Sequence, residues 1–215
     1  MVRKGYRSQD AAFKAKTIKQ QVVMNGEEML KLFRETGALL EGHFQLSSGL
    51  HSPQYFQCAR VLQYPICAEL LCAEIARHFA KERVDVVISP ALGGIVVGQE
   101  VARQLKTRSI FAERSNGVLQ LRRGFEIRSG ENVLICEDVV TTGVSIGEVM
   151  EIVHKQGGVV MGVGCIVDRS NGKVGGPQGK SLSSLLTMNV VTYKPKECPL
   201  CQQEIPLVKP GSRSV

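Results

Sequence analysis

Two adjacent carboxylates, Glu137 and Asp138, are followed closely by Thr141, Thr142, Gly143 and Ser145 in the string VLICEDVVTTGVSIGE, Val133 to Glu148. The four apolar residues before the acids read as a buried strand, and the apolar spacing after Gly143 reads as a helix. The acids then end a strand at the carboxyl edge of a parallel sheet, where such sheets bind ligands. The small and hydroxyl residues stand at a helix N-terminus. There, free backbone N–H groups, the helix dipole and the hydroxyls cradle a phosphate. Carboxylates do not favour that same phosphate; they suit sugar hydroxyls or a magnesium ion beside it. The ligand described in this way carries a 5-phosphate and a free diol, as a phosphoribosyl group does. An incidental acid pair is disfavoured, because two carboxylates at a strand end are costly without a ligand or partner.

The rest of the chain supplies the elements that must position these residues. Asn25 as N-cap, Glu28 three positions on, and Met29, Leu32 and Phe33 at helical spacing predict a helix that stops at Gly37. Residues 41–59 alternate and hold Gly and Pro, which predicts short strands and turns. Ala68 to Lys81 has helical spacing. Strands are then expected at Val84–Ser89, Arg108–Glu113, Asn132–Cys136 and Val159–Val167, with helices at Gly93–Lys106 and Gly143–Gln156. Strands alternating with helices imply an α/β fold, a parallel sheet covered on both faces. Arg114 to Gly130 has no helix of its own, and Gly117, Gly124 and Gly130 suggest a hairpin or mobile loop.

The string from Val133 to Ser145 resembles, over thirteen continuous positions, the signature of the type I phosphoribosyltransferases, which bind phosphoribosyl pyrophosphate. Three further segments resemble the orotate phosphoribosyltransferases within that group. FQLSSGLHSPQYFQCA, Phe44 to Ala59, is similar to their N-terminal signature. PALGGIVVG, Pro90 to Gly98, is similar to their pyrophosphate-side loop, where glycines let backbone amides approach phosphate oxygens. VDR, Val167 to Arg169, is similar to the strand end where their arginine meets orotate. The resemblance covers residues 25–195 and comes nearest to a bacterial or archaeal subgroup. It implies a type I phosphoribosyltransferase-like architecture: a central parallel sheet flanked by helices, a small N-terminal hood and a mobile loop. It also implies a cis peptide, here at Ala91–Leu92.

By the same resemblance, Glu137 and Asp138 hold the ribose hydroxyls. Val139, Val140, Thr141, Thr142, Gly143, Val144 and Ser145 wrap the 5-phosphate, and Thr141 and Arg169 touch orotate. Chemistry supports the last role separately, since a guanidinium recognises a planar carboxylate or carbonyl edge in bidentate fashion. The other employment for Arg169 is a salt bridge to Asp168 or a surface position. Many family members carry Lys where Ser47 stands, and a Lys-rich loop with a His. Here the loop Glu113 to Gly130 has neither. Arg114 matches the family's loop arginine. Arg122 and Arg123 either replace the missing lysines on the pyrophosphate side or belong to a solvated hairpin.

The reaction so implied is orotate plus phosphoribosyl pyrophosphate giving orotidine 5-monophosphate and pyrophosphate, a step of pyrimidine synthesis. No covalent nucleophile is expected; positioning and stabilisation of the leaving pyrophosphate supply the rate. Mg²⁺ is the expected cofactor, held mostly by substrate oxygens with no direct protein ligand required. The resemblance also implies a homodimer with shared active sites, one subunit's loop reaching its neighbour's site.

Charge looks at first like a pointer to nucleic acid, since the net charge is +7 and the pI about 9.1. Residues 1–24 hold six basic side chains against Asp10, and 194–215 hold four against two acids, whereas 25–193 are neutral at 17 of each. The basicity therefore lies in the two ends, and nucleic acid is not the expected partner. The chain is expected to divide into a basic, disordered extension at 1–24, a phosphoribosyltransferase domain at 25–195 and a tail at 196–215. No apolar run is long enough to span a membrane, and residues 1–23 lack the apolar core of a secretory signal.

Seven cysteines, an odd number, fit a reducing cytoplasm. Cys67, Cys72, Cys136 and Cys165 lie in apolar runs and are expected to pack as thiols. Cys198 and Cys201 form CPLC, half of a zinc site. The other half would come from a second subunit, or from Cys58 with a histidine; without it the pair is a plain turn. His43, His51, His78 and His154 show no metal spacing. His51 lies in the first signature, where approach to substrate and a local hydrogen bond are equally open. Two other functions remain at this point: transfer to another base such as a purine, and a non-catalytic regulator that senses phosphoribosyl pyrophosphate and binds nucleic acid through its basic end.

Overall fold

A computed structural model describes residues 24–210 apart from Ser47, Pro177, Gln178, Lys180 and Ser181. The basic extension expected at the start, and Ser47, therefore lie outside the described residues. Asn25 caps α1 (Gly26–Glu35) through a capping box: its side chain accepts the Glu28 N–H while Glu28 accepts the Asn25 N–H. Met29, Leu32 and Phe33 form the buried stripe of α1, and Gly37 turns the chain at φ 66°. An antiparallel hairpin follows, β1 (Leu39–Gln45) and β2 (His51–Phe56). Then come α2 (Ala59–Leu62), α3 (Pro65–His78), β3 (Val86–Pro90), α4 (Gly93–Leu105), β4 (Arg108–Ser115) and β5 (Val118–Leu121). The series closes with β6 (Asn132–Val140), α5 (Val144–Lys155), β7 (Val159–Asp168), β8 (Ser183–Thr187) and α6 (Pro199–Gln202).

The main sheet has the order β5-β4-β3-β6-β7-β8, parallel throughout except for β5, which is antiparallel to β4. Because side chains alternate along a strand, each strand feeds two cores. Leu134 and Cys136 of β6 pack with α1, α3 and α4 on one face. Val133 and Ile135 pack with Ile146, Val149 and Val153 of α5 on the other. This is the doubly covered sheet that the alternation of strands and helices predicts.

Three features differ from or refine the expectations. Strand β6 does not end at the acids but runs on to Val140, paired with β7 as far as Asp168. Segment 114–130 opens with a hairpin: β4 runs to Ser115, and Asn116 and Gly117, at φ 53° and 80°, make the two-residue turn into β5. Strand β8 carries no expectation from its sequence. SSLLT is short and polar, and β7 alone holds it in the sheet through parallel pairs such as Val167 with Leu186. The chain end packs against the hood: Val208 lies beside β1 at Phe44, and Tyr193 exchanges both backbone hydrogen bonds with His51 of β2.

Candidate active site

The acids owe their position to sheet register. Strand β6 pairs with β3 only as far as Ile135 opposite Ile88, but with β7 as far as Val140 opposite Asp168. Glu137 and Asp138 therefore overhang β3, held on one side and partly buried. Into that gap comes the turn between β3 and α4. A Cβ on Gly93 would stand 2.6 Å from Asp138 Oδ1, and one on Gly94 3.0 Å from Glu137 Oε1 and from the Cys136 carbonyl. Any side chain at Gly93 would fill the space against the Asp138 carboxylate. The turn contains a cis peptide at Ala91–Leu92, as the resemblance implies. Burial, then the neighbouring Asp138 charge, hold the Glu137 carboxyl well above the usual carboxylate range. Two acids placed so closely, with little to compensate them, invite hydroxyl donors or a cation.

Past Val140 the strand becomes a tight loop. Val139 and Val140 belong to β6 and pair with β7, and the Val140 side chain is buried in the α5-side core, so neither brings a polar side chain to a phosphate. The loop proper is Thr141, Thr142 and Gly143, with Thr141 and Thr142 exposed. Gly143 sits at φ 76°, and a Cβ there would meet Val174 Cγ2 at 2.8 Å, so glycine is required twice over. It is the N-cap of α5 and offers no side-chain cap; the first turn of α5 holds no acid. Val144 and Ser145 open that helix, whose first N–H groups are thus left for an anion.

Arg169 follows β7 directly and donates its N–H to the Val140 carbonyl at 2.8 Å, which sets it beside Thr141. The salt bridge to Asp168 does not form. Asp168 instead accepts the N–H groups of Ser170 at 2.7 Å and Gly172 at 3.3 Å. Arg169 Nε is buried without a hydrogen-bond partner. Burial lowers the Arg169 pKa, with Tyr55 and Cys58 close by, and burial likewise raises that of the Tyr55 phenol against the pull of Arg169. A buried guanidinium nitrogen lacking a partner is costly, and an anionic, planar ligand would satisfy it. Tyr55 comes from β2, so the hood supplies this wall of the site. Phe44 and Phe56 do not share that role: both are buried, Phe56 edge-on to Phe33 at 5.8 Å.

The loop arginines are engaged with local partners. Arg114 donates to the Gly117 carbonyl at 2.6 Å and pairs with Glu148 on α5. Arg122 and Arg123 both pair with Glu113, at 3.7 and 3.0 Å, and Arg123 lies over Phe111 at 5.8 Å. These pairs are partly or largely exposed, so each is worth about 1 kcal/mol or less and exchanges readily for a polyanion. Glu148 as the partner of Arg114 escaped the sequence reading. It stands 34 residues away, and nothing in the string VSIGE marks it.

Among the described residues the four candidate zinc ligands are brought together differently from expectation. Cys58 takes no part. His43 and His51, which show no metal spacing in the sequence, stand with Cys198 and Cys201. His51 is buried and stands 2.9 Å from His43 Nε2, a local bond of the kind the sequence left open beside approach to substrate. Cys67, Cys72, Cys136 and Cys165 are buried free thiols, as expected.

Comparison with known proteins agrees with this geometry. Residues 63–175 match the family model of the phosphoribosyl transferase domain, the class that a strand-end acid pair and an open helix N-terminus on a parallel sheet define. The chain is 57% identical over 192 residues to an orotate phosphoribosyltransferase of Pelotomaculum thermopropionicum, covering 89% of this chain and 100% of that protein. It is 56% identical, over the same shares, to one of Caldicellulosiruptor saccharolyticus. The crystal structure of orotate phosphoribosyltransferase from Aeropyrum pernix superposes with a TM-score of 0.62 at 26% identity, covering 74% of this chain and 93% of that one. The chain belongs to the orotate phosphoribosyltransferases, a family of pentosyltransferases.

Proposed function

We propose that the protein transfers the phosphoribosyl group of phosphoribosyl pyrophosphate to orotate, releasing pyrophosphate, as a step of pyrimidine synthesis. The bond from the anomeric carbon to the pyrophosphate oxygen breaks, a bond to the orotate ring nitrogen forms, and that nitrogen's proton is released. The observation that carries the reading is the buried, unpartnered Nε of Arg169 beside the open N-terminus of α5 and the overhanging acids.

In this reading Glu137 and Asp138 accept the ribose hydroxyls, and Thr141 to Ser145 hold the 5-phosphate through backbone N–H groups and hydroxyls. Arg169, with Thr141 beside it, binds orotate. Pinning both ends leaves the anomeric carbon to pass through an oxocarbenium-like state, so orientation supplies much of the rate. Arg114, Arg122 and Arg123 leave Glu148 and Glu113 to meet the pyrophosphate as the hairpin closes and excludes water. Glu137 and Asp138 offer the hard carboxylate oxygens that magnesium favours; bound there, the ion would offset the leaving-group charge. The protein acts as a homodimer in a reducing cytoplasm, one subunit's hairpin serving its partner's site. Among the described residues no helix is long and apolar enough to cross a membrane.

The test is consumption of orotate, adenine, hypoxanthine and uracil with phosphoribosyl pyrophosphate, with and without Mg²⁺. Orotate alone is consumed, and only with the metal. Equal use of a purine would sink the assignment to orotate. Mixing Asp138→Asn subunits with Arg123→Ala subunits restores part of the activity if sites are shared, and none if each subunit works alone.

A further inference from the structure

Four side chains from three distant segments converge on one point of the hood. His43 comes from the middle of β1, His51 from the start of β2, Cys198 from the N-cap of α6 and Cys201 from within it. Their ligand atoms all lie within 4.8 Å of one another. His43 Nε2 stands 2.9 Å from His51 Nδ1, 3.5 Å from Cys198 Sγ and 3.7 Å from Cys201 Sγ, and Cys201 Sγ is 3.3 Å from His51 Nδ1. With usual Zn–N and Zn–S lengths, a tetrahedral zinc separates two nitrogens by about 3.4 Å and a nitrogen from a sulfur by about 3.6 Å. The nitrogen–sulfur separations bracket their value, while the two nitrogens stand closer than theirs, at 2.9 Å.

The surroundings prepare the ligands. His43 Nδ1 donates to the Ile205 carbonyl at 2.8 Å. That fixes the tautomer and leaves the Nε2 lone pair directed at the cluster, the outer-shell arrangement usual for a metal-bound imidazole. His43, His51 and Cys198 are buried, so no water competes on that side. Backbone bonds hold the same segments in register: Val208 N–H to the His43 carbonyl at 2.8 Å, and Tyr193 with His51 in both directions. The sulfur–nitrogen donor set selects zinc over magnesium, which takes hard oxygen ligands.

We propose that His43, His51, Cys198 and Cys201 bind one structural Zn²⁺, which staples the C-terminal segment to the hairpin of the hood. Two imidazoles and two thiolates close the coordination shell, so the site carries no open position for catalysis. Binding releases the two thiol protons and leaves a neutral centre, which suits a buried place. The ion also braces β2, which carries His51 at one end and Tyr55 near the other, and Tyr55 stands beside Arg169.

Metal analysis of the full-length protein, purified without added metal or chelator, tests the proposal. About one zinc per chain is expected, with X-ray absorption showing two sulfur and two nitrogen neighbours. Cobalt-substituted protein should give the intense visible bands of a tetrahedral, thiolate-bound ion. Cys198→Ser and His43→Asn should each lower zinc content at least tenfold while Cys67→Ser keeps it. A chain that stays metal-free after incubation with zinc, or a zinc shell of oxygen and nitrogen alone, overturns the proposal. The absorption measurement uses only the natural sequence, so it decides the matter even where a variant fails to fold.

Discussion

The strand-end site and the hood cluster handle polar side chains in opposite ways. Glu137 and Asp138 are acids on neighbouring residues of one strand, and burial, then the Asp138 charge, raises the Glu137 pKa. Arg169 adds a buried nitrogen with no partner. This region is left unsatisfied, and the deficit is where a charged, hydroxyl-rich substrate would bind. In the hood, by contrast, each imidazole has a polar neighbour within 3 Å. That region is cohesive. The contrast teaches that the protein concentrates unsatisfied polar groups at the strand ends while the segment 193–208 is tied down against the hood. Strand β2 touches both, with His51 in one and Tyr55 in the other, about 13 Å apart along an extended strand.

The hardest way to break the comparison is Asp138→Asn. Loss of a carboxylate aimed at the ribose should lower kcat/KM on the order of 10²–10³-fold, as for other preorganised electrostatic groups. Thermal stability should not fall, because the change relieves repulsion. Steady-state kinetics and a melting curve check both halves. Next comes Arg169→Ala. A charge-assisted hydrogen bond is worth roughly 1.5–3 kcal/mol, so KM for orotate should rise about 10–100-fold while that for phosphoribosyl pyrophosphate barely moves. An equal rise in both constants would put Arg169 outside the base site.

The hood should respond in the reverse sense. Removing zinc with a chelator, or Cys198→Ser, should lower Tm by roughly 5 °C or more. That corresponds to about 2 kcal/mol for a domain of this size, and kcat at low temperature should hardly change. A melting temperature indifferent to chelation would erase the contrast between the two regions.

The smallest effect concerns pH. The folded-state pKa of Glu137 lies above its unfolded value near 4.3, so between the two the folded chain binds the extra proton. Stability from this group is present below the unfolded value and is lost as pH rises through the folded one. Glu137→Gln should therefore raise Tm more at pH 8 than at pH 5, by roughly 2–4 °C for each kcal/mol relieved. A variant curve parallel to that of the natural protein would show that Glu137 titrates normally.

Much of the acid site was legible because its parts are neighbours in the chain. The strand β6, the loop from Thr141 and helix α5 form one continuous string, and local periodicity and glycine chemistry describe it. What escaped was the strand's extension to Val140, which depends on β7 as partner, and the ion pair of Arg114 with Glu148. Strand β8 escaped for the same reason: five mostly polar residues become a strand only beside β7.

By itself the sequence determined the alternation of strands and helices from β3 to β7, the phosphate loop and its acids, and the neutrality of the domain between two basic ends. Those are local properties, set by side-chain period, caps and charge along the chain. Only the tertiary structure decided that Asp168 turns away from Arg169, that Gly93 and Gly94 press against the acids, and that His43 and His51 meet Cys198 and Cys201. Contacts across some 150 residues depend on sheet register and on where the chain end docks. No spacing rule carries that information, because the loops between such residues constrain distance only weakly.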